Sequence, residues 1–347
     1  MMQAFLKRRV RTIRGVLSAL ALVVCAMAGN ALAAEVAPQE GDGIYSLLRR
    51  HGFAPTHADV EAFIQLNQDR LGAGNSLFLR HRYRLPGDAN SPEKQAEAQG
   101  SRSRYPLFGP KYEWVEKKET VLSGCVFYLV SGHGGPDPGA IGEREGHRLA
   151  EDEYAYDITL RLARVLLEHG AQIYLIIQDP NDGIRDGQWL AMDRDEVNYP
   201  KLKIPVSQVM RLRQRANAVN TLYGQRADPD AYHRLIVIHV DSRSLDHRVD
   251  VFFYHHEASR SGKRLANNLR EVFEDNYEEH QPGRGYRGSV SSRRLHMLTQ
   301  TTPPAVFIEL GNIRNRNNQY RFIDPANRQA LAEWICEGIV RDYRSGK

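Results

Sequence analysis

The sequence predicts an α/β fold with a mostly parallel, twisted sheet covered by helices, preceded by a small α+β module. Short apolar runs rich in Val, Ile and Leu alternate with amphipathic segments from Cys125 onward, a pattern typical of strands buried on both faces. A polar stretch containing Pro, Gly, Ser and Gln separates this region from a smaller one near the amino terminus. We therefore expect two folded parts joined by a linker.

Residues 1–34 predict a secretory signal peptide. Basic residues up to Arg14 precede the apolar run Val16–Ala28, and Ala31-Leu32-Ala33 provides a small-x-small cleavage site. The apolar run is too short for a comfortable membrane span, so we expect no stable span after cleavage; an uncleaved membrane anchor is the alternative. The mature protein is expected to be exported to the periplasm, or to the extracellular space and cell wall.

The excess of basic residues lies within this predicted signal peptide. The chain has 47 Lys and Arg against 42 Asp and Glu, a formal net charge of +5. Five of the cations and none of the acids precede Glu35, so 42 basic residues remain against 42 acidic ones. A balanced remainder argues against a nucleic-acid partner, which would require an excess of positive charge.

Residues 38–87 predict a small module in which two helices are followed by a short strand. The helices are expected over Gly41–Gly52 and Thr56–Asn67. The Gly41-Asp42-Gly43-Ile44 start, the Asn after the second helix and the closing Leu85-Pro86 resemble a LysM module. That resemblance implies binding to glycans that contain N-acetylglucosamine, while a small helical spacer domain is the alternative.

Two connecting segments follow this module. Residues 88–104 are polar with alternating charges and predict a flexible linker. Residues 105–124 contain aromatic residues and a charge run, and they predict a lead-in segment for which a hairpin is one candidate form. The larger domain is then expected over residues 125–345.

Strands and helices are predicted to alternate in the larger domain. The strands are expected at Val126–Val130, Ile173–Ile177, Leu235–Ile238, Val249–Tyr254 and Ala305–Leu310. The helices are expected at Asp157–Leu167, Ser261–Phe273 and Asn327–Tyr343. Cys125 and Cys336 could form one disulfide or could be small buried hydrophobic residues.

Histidines and carboxylates lie at the ends of these predicted elements. They are His133 in a loop rich in Gly and Pro, the acids Glu151, Asp152 and Glu153 before a helix, His239 after Ile238, and Glu309 among apolar residues. Solvated or hydrogen-bonded histidines and acids that favour a helix N-terminus are the simpler explanations. Glu309 is harder to explain in this way, because a carboxylate with apolar neighbours requires a partner or a cation. Two histidines and two carboxylates fit a catalytic zinc site with three ligands and an acid/base group.

The order of motifs from Cys125 to Tyr343 resembles the zinc-dependent N-acetylmuramoyl-L-alanine amidases of the Amidase_3 family. The matching segments are Gly132–Ala140, Glu151 with Ile158, Leu212 with Arg215 and Asn220, Val237–Asp241 and Pro304–Gly311. The resemblance implies one zinc ion held by His133, Glu151 and His239, Glu309 as the catalytic acid/base, and Arg215, Asn220 and Asp241 as support for substrate or structure. It also implies hydrolysis of the amide between N-acetylmuramic acid and L-alanine in peptidoglycan.

Two features depart from that family's pattern. Val130-Ser131 stand where the family has Asp-Pro before Gly-His, so a carboxylate that could orient the ligand loop is expected to be absent. A polar insertion at 179–211 replaces a short loop, and its length and aromatic residues favour a lid or a docking surface, for example for a protein activator. Because of the first departure, a non-catalytic peptidoglycan-binding relative is the main alternative. A second alternative is a zinc peptidase that acts on another substrate.

Overall fold

A computed structural model of the chain describes residues 35–51, 57–72, 75–86, 102–225, 231–241 and 250–346. The predicted signal peptide and residues 88–101 of the predicted linker lie outside the described residues. The chain divides into two compact units, Met1–Gln95 and Ala96–Lys347. No helix in the described part of the chain has the length and apolar character needed to cross a membrane.

The first unit has the element order β-α-α-β over its described residues. These elements are β1 (Glu35–Val36), α1 (Ile44–Arg50), α2 (His57–Leu66) and β2 (Tyr83–Arg84), and the two strands pair antiparallel. Leu47, Leu48 and Phe63 pack with Tyr83 in a small core. The buried Asn67 side chain exchanges hydrogen bonds of 2.8 and 2.7 Å with the backbone of Arg84. Asn67, which follows α2, therefore connects the end of this helix to β2 by hydrogen bonds.

A short antiparallel hairpin begins the second unit. It consists of β3 (Arg102–Arg104) and β4 (Trp114–Glu116). The lead-in segment thus takes part in a hairpin, and its first strand comprises the last residues of the predicted 88–104 linker. Phe108 and Leu122 of this region are buried in the main core of the unit.

A six-stranded sheet forms the centre of the second unit. Its strands are β5 (Val126–Ser131), β8 (Gln172–Leu175), β12 (His233–Asp241), β13 (Phe252–His255), β14 (Ser289–Ser292) and β15 (Ala305–Asn312). The order across the sheet is β14-β13-β15-β12-β5-β8. The four strands β15, β12, β5 and β8 are mutually parallel, and β13 is antiparallel to β15. The predicted α/β class with a mostly parallel sheet is confirmed.

Helices pack on both faces of this sheet. They are α3 (Glu151–Glu168), α4 (Gln208–Gly224), α5 (Arg260–His280), α6 (His296–Thr299), α7 (Arg316–Ile323) and α8 (Pro325–Ser345). Because side chains alternate along a strand, Phe127 and Leu129 of β5 join the core beneath α3, α5 and α8. Tyr128 and Val130 point to the opposite core, beneath α4. This two-sided burial explains why β5 is a continuous apolar run.

Two smaller β structures belong to the same unit. The hairpin β6 (Ile141–Arg144) and β7 (His147–Ala150) leads directly into α3. The strands β9 (Ile177–Gln178), β10 (Val197–Asn198) and β11 (Leu202–Lys203) form a separate antiparallel sheet. The predicted strand Ile173–Ile177 is therefore divided between two sheets, and the 179–211 insertion has regular structure of its own.

Some predicted element boundaries differ from the observed ones. The helix predicted at Asp157 begins at Glu151, because its first turn is made of acids that the apolar spacing could not indicate. The helix α4 and the hairpin β6–β7 were not predicted from the apolar pattern. Cys125 and Cys336 are both buried thiols, in keeping with the alternative that they are small hydrophobic residues.

Candidate metal centre

The carboxyl ends of adjacent strands bring the predicted site residues to one edge of the sheet. In the β12–β15 register His239 lies beside Glu309. Ser131 at the end of β5 lies beside Ile238, and the N–H of Gly132 donates to the Ile238 carbonyl at 2.7 Å. His133 therefore leaves β5 next to His239. This is the edge at which open α/β sheets place their ligands.

Glycines allow the loop of His133 to approach the other site residues. A Cβ atom on Gly132 would lie 2.5 Å from the His239 ring. A Cβ atom on Gly139 would lie 2.7 Å from the His133 ring and 2.8 Å from Glu151 Oε2. Gly139 also has a φ of +69°, which side-chain-bearing residues rarely adopt. The glycines thus make room for the convergence of three functional side chains.

Glu151 lies between the two histidines. Its Oε2 is 3.2 Å from His133 Nε2 and accepts a hydrogen bond from the Ala140 N–H at 2.9 Å. Its Oε1 is 2.9 Å from His239 Nδ1 and accepts one from the Val240 N–H at 3.0 Å. Burial opposes the charge of Glu151, but its contacts with the two histidines hold the pKa of this carboxyl well below its usual range. The carboxylate is therefore ionised and fixed in place.

The donor set suits a zinc ion. His133, Glu151 and His239 each offer one ligand atom, and these atoms lie within 4.8 Å of one another. Two imidazole nitrogens and one carboxylate oxygen form a set of protein ligands found in catalytic zinc sites. Burial lowers the pKa of His133, but hydrogen bonds to Asp137 and Glu151 outweigh it and raise this pKa to about 10. The pocket thus favours positive charge at the position where a cation would bind.

Asp137 orients His133 from the side away from Glu151. Its Oδ2 lies 3.0 Å from His133 Nδ1 and 2.6 Å from Arg211 Nη2. The expectation that the site lacks an orienting carboxylate, based on Val130-Ser131, was therefore wrong, because Asp137 of the same loop supplies one. The sequence spacing could not reveal this contact, because His133 and Asp137 lie in a loop without regular structure.

Glu309 lies beside His239 in the sheet and has a carboxylate oxygen with no hydrogen-bond partner among the described residues. Glu309 Oε2 is buried, and no donor or acceptor among the described residues pairs with it. Burial, followed by the negative charges of Glu151 and Asp241, raises the pKa of Glu309 well above its ordinary value. The His239 ring also stacks on Phe307 at a centroid distance of 4.5 Å. The arrangement combines three possible metal ligands with a carboxyl group that readily accepts a proton.

The three residues expected to support substrate or structure lie in different places. Arg215 is buried and donates from Nη2 to the His133 carbonyl; burial lowers its pKa to about 10. Asp241 ends β12 and accepts a hydrogen bond from the Ile313 N–H at 3.0 Å through its backbone carbonyl. Asn220 bonds the backbone of Gln300 and Thr302, before the amino end of β15. Asn220 is therefore separated from the cluster, while Arg215 supports its loop.

The insertion contacts the same loop. Glu196, just before β10, accepts a hydrogen bond from the Gly135 N–H at 2.6 Å. Ile204 fills the space beside Gly135, where an added Cβ atom would lie 2.9 Å from the Ile204 side chain. The Trp189 ring stacks on His147 of β7 at 4.3 Å. The insertion is thus packed against the segments that carry His133 and lead to Glu151.

Comparison with protein families identifies the class of the second unit. The Amidase_3 family, described as N-acetylmuramoyl-L-alanine amidase, matches residues 128–341. The chain belongs to this family. The matched span includes all the site residues described above, and membership makes the chain a peptidoglycan amidase, a class of cell-wall hydrolase.

Individual relatives have low sequence identity to this chain. The germination-specific N-acetylmuramoyl-L-alanine amidase of Bacillus subtilis (strain 168) is 23% identical over 225 residues, which cover 64% of this chain and 81% of the relative. The amidase AmiC2 of Nostoc punctiforme is 20% identical, with a TM-score of 0.46 and coverage of 64% of this chain and 98% of that one. The CwlD amidase of Clostridioides difficile, solved in complex with the GerS lipoprotein, is 17% identical, with a TM-score of 0.48 and coverage of 64% and 99%.

Proposed function

We propose that this protein is a zinc-dependent enzyme that hydrolyses the amide joining N-acetylmuramic acid to L-alanine in peptidoglycan. The observation that carries the proposal is the convergence of His133, Glu151 and His239, with ligand atoms within 4.8 Å, in a chain of this family. In this proposal those three residues hold one zinc ion. Bound zinc supplies a water of lowered pKa and polarises the scissile carbonyl.

Glu309 carries the proton transfers. Its buried Oε2 has no other partner among the described residues, so this atom is available to take a proton from the attacking water. Its raised pKa favours holding that proton until the amide bond breaks. The proton then passes to the nitrogen of the leaving L-alanine, so that Glu309 returns to its ionised form.

Neighbouring side chains position these groups. Asp137 accepts a hydrogen bond from His133 Nδ1–H, which leaves Nε2 as the nitrogen that faces Glu151. Arg211 holds Asp137, and Arg215 holds the backbone carbonyl of His133. These contacts support the assignment of Arg215 as a residue that positions the ligand loop.

Other parts of the chain extend the proposal. Residues 1–34 act as a signal peptide for export to the periplasm or cell wall, and the 38–87 module binds glycan strands in the manner of a LysM module. The insertion acts as a lid or as a docking surface for a protein activator. The exposed apolar side chains of Leu202, Val206 and Val209 within the insertion support such a docking role.

Digestion of purified peptidoglycan sacculi tests the proposed reaction. We expect the full chain to release peptides that begin with a free L-alanine amino group, identified by mass spectrometry. Glu309→Gln should retain zinc but lose roughly 10²- to 10⁴-fold in rate, while Glu143→Gln, an exposed acid of β6, should retain full activity. Cleavage at another bond would indicate a peptidase, and binding to sacculi without cleavage would indicate a non-catalytic relative. Either result would contradict the proposal.

A further inference from the structure

A second group of carboxylates lies beside the candidate metal centre. It consists of Asp152 and Glu153 in the first turn of α3 and Glu196 from the insertion. One carboxylate oxygen from each lies within 4.8 Å of the other two. The three residues are 1%, 2% and 5% exposed, respectively. Three acids buried at such close range require compensation by positive charge or by hydrogen bonds.

The compensation within the protein is incomplete. Arg185 Nη1 pairs with Glu153 Oε2 at 2.8 Å, and the Asp193 N–H donates to Glu153 Oε1 at 3.0 Å. Glu196 accepts a hydrogen bond from the Gly135 N–H. Across the described ranges no Lys, Arg or His nitrogen lies within 4.0 Å of a carboxylate oxygen of Asp152 or Glu196. The three buried carboxyl groups therefore share one direct ion-pair partner, Arg185.

Asp152 has an oxygen that is left without a partner. Its Oδ1 accepts a hydrogen bond from the Glu153 N–H at 2.9 Å, whereas its Oδ2 is buried with no hydrogen-bond partner in the described part of the chain. A proton on Oδ2 would remove one charge, but the carboxylates of Glu153 and Glu196 would remain close together. The buried Arg215 contributes long-range positive charge, but it donates to the His133 carbonyl.

We propose that Asp152, Glu153 and Glu196 bind a hard divalent cation, Ca²⁺ or Mg²⁺, at a site separate from the zinc ligands. A cation would neutralise the excess of carboxylates and would provide the unpaired oxygen of Asp152 with a partner. The donor set contains only oxygens, which suits calcium and magnesium, whereas the zinc ligands include two imidazoles. Water would complete the coordination sphere, as is usual for these ions.

The cation would stabilise the attachment of the insertion to the catalytic unit. Glu196 belongs to the insertion, while Asp152 directly follows the zinc ligand Glu151. Through the Gly135 N–H, Glu196 also holds the loop that carries His133. A cation at this point would therefore connect the insertion, the start of α3 and the His133 loop.

Metal titration of the full chain tests this site independently of activity. The protein is stripped with a chelator, reloaded with one equivalent of zinc, and titrated with CaCl₂ or MgCl₂. Uptake is measured by equilibrium dialysis with elemental analysis, and the midpoint of thermal unfolding is recorded. We expect one Ca²⁺ or Mg²⁺ per chain at concentrations up to about 1 mM, together with a rise in the unfolding midpoint.

Variants locate the uptake. Glu196→Gln and Asp152→Asn should each weaken uptake by at least about tenfold, while Asp195→Asn, which changes an exposed acid of the same insertion, should leave it unchanged. His239→Ala should lose zinc but retain the uptake of calcium or magnesium. The proposal fails if the wild-type chain takes up neither ion, or if uptake persists unchanged in Glu196→Gln. Glu196→Gln decides the matter if Asp152→Asn does not fold.

Discussion

His133, a proposed zinc ligand, shows how neighbouring groups fix the position of a single side chain. Its Nε2 faces Glu151, and its Nδ1 lies 3.0 Å from Asp137, which is itself held by Arg211. A carboxylate behind a histidine ligand fixes the ring and the tautomer and makes the ligand nitrogen more basic. Asp137 fills this role without any contribution from Val130 or Ser131.

Removal of Asp137 should weaken zinc binding. We expect Asp137→Ala to bind zinc roughly 10- to 100-fold less tightly, measured by competition with a chromophoric chelator. Asp137→Asn should lose less, because its amide oxygen can still accept the Nδ1–H hydrogen bond. Glu143→Ala changes an exposed acid of the neighbouring hairpin and should not alter the affinity. Equal affinities for the wild-type chain and Asp137→Ala would contradict this role.

Asp179 in the insertion should make stability depend on pH. Burial, with the charges of Asp182 and Asp195, raises the pKa of Asp179 from 3.8 to about 6. Because its folded-state pKa is raised, this group stabilises the folded state below its unfolded pKa, and that stabilisation is lost as the pH rises through about 6. We expect a loss of about 3 kcal/mol in the free energy of unfolding from this group.

Asp179→Asn isolates this effect. In the wild-type protein, Asp179 Oδ1 accepts hydrogen bonds from the N–H groups of Asn181 and Asp182. The amide oxygen of the variant can still accept these two hydrogen bonds, but the amide does not titrate. Urea unfolding in the presence of a chelator, at pH values below and above this pKa, should show a smaller pH dependence for the variant. Identical pH dependence in the two proteins would exclude the assignment.

The element that shapes the site is the glycine-rich loop between β5 and β6. Gly139→Ala should lose about 1–2 kcal/mol of stability from its positive φ. It should also lose at least about tenfold in zinc affinity, because the new Cβ atom would press on the His133 ring and on Glu151. Gly146→Ala is the matched control, since its φ is +78° but no atom lies within 4 Å of the added Cβ. Equal zinc affinities for the two variants would contradict this role of the loop.

Elements with a strong apolar pattern were predictable from the sequence, and elements built on polar contacts were not. The strand β5 and the buried runs of β12 and β15 are continuous apolar segments, so both their existence and the site at their ends could be predicted. The first turn of α3 consists of buried acids, and α4 carries many Arg, Gln and Asn side chains. Their place in the fold depends on partners distant in the sequence, which the apolar spacing does not reveal.

For the molecule as a whole, the last helix holds the insertion in place through Arg328. This side chain is fully buried, its Nε lies 2.6 Å from Asp157 Oδ2, and its Nη2 donates to the carbonyls of Arg185 and Gly187 at 2.8 Å. The insertion is therefore fastened to α3 and α8 together. Neither the pattern of the insertion nor that of α8 indicates this contact, since the partners lie more than a hundred residues apart.

Loss of Arg328 should destabilise the whole unit. We expect Arg328→Met to lower the free energy of unfolding by about 1–3 kcal/mol, because the Phe322 carbonyl would lose its buried donor and Asp157 would keep only Arg161 as an ion-pair partner. Arg270→Met, which breaks an exposed pair with Glu274 inside α5, should cost less than about 1 kcal/mol. Urea unfolding followed by circular dichroism compares the two. Equal losses would show that Arg328 does not anchor the insertion.

We propose that His133, Glu151 and His239 hold one zinc ion and that Glu309 is the catalytic acid/base beside it. Elemental analysis of the purified full chain and its variants, with each sample also incubated with sacculi, tests this most directly. We expect one zinc per chain in the wild-type protein and in Glu309→Gln, with cleavage by the wild-type protein alone. We expect neither zinc nor cleavage in His239→Ala. A wild-type protein that cleaves sacculi without zinc, or a His239→Ala protein that retains both zinc and activity, would contradict this proposal.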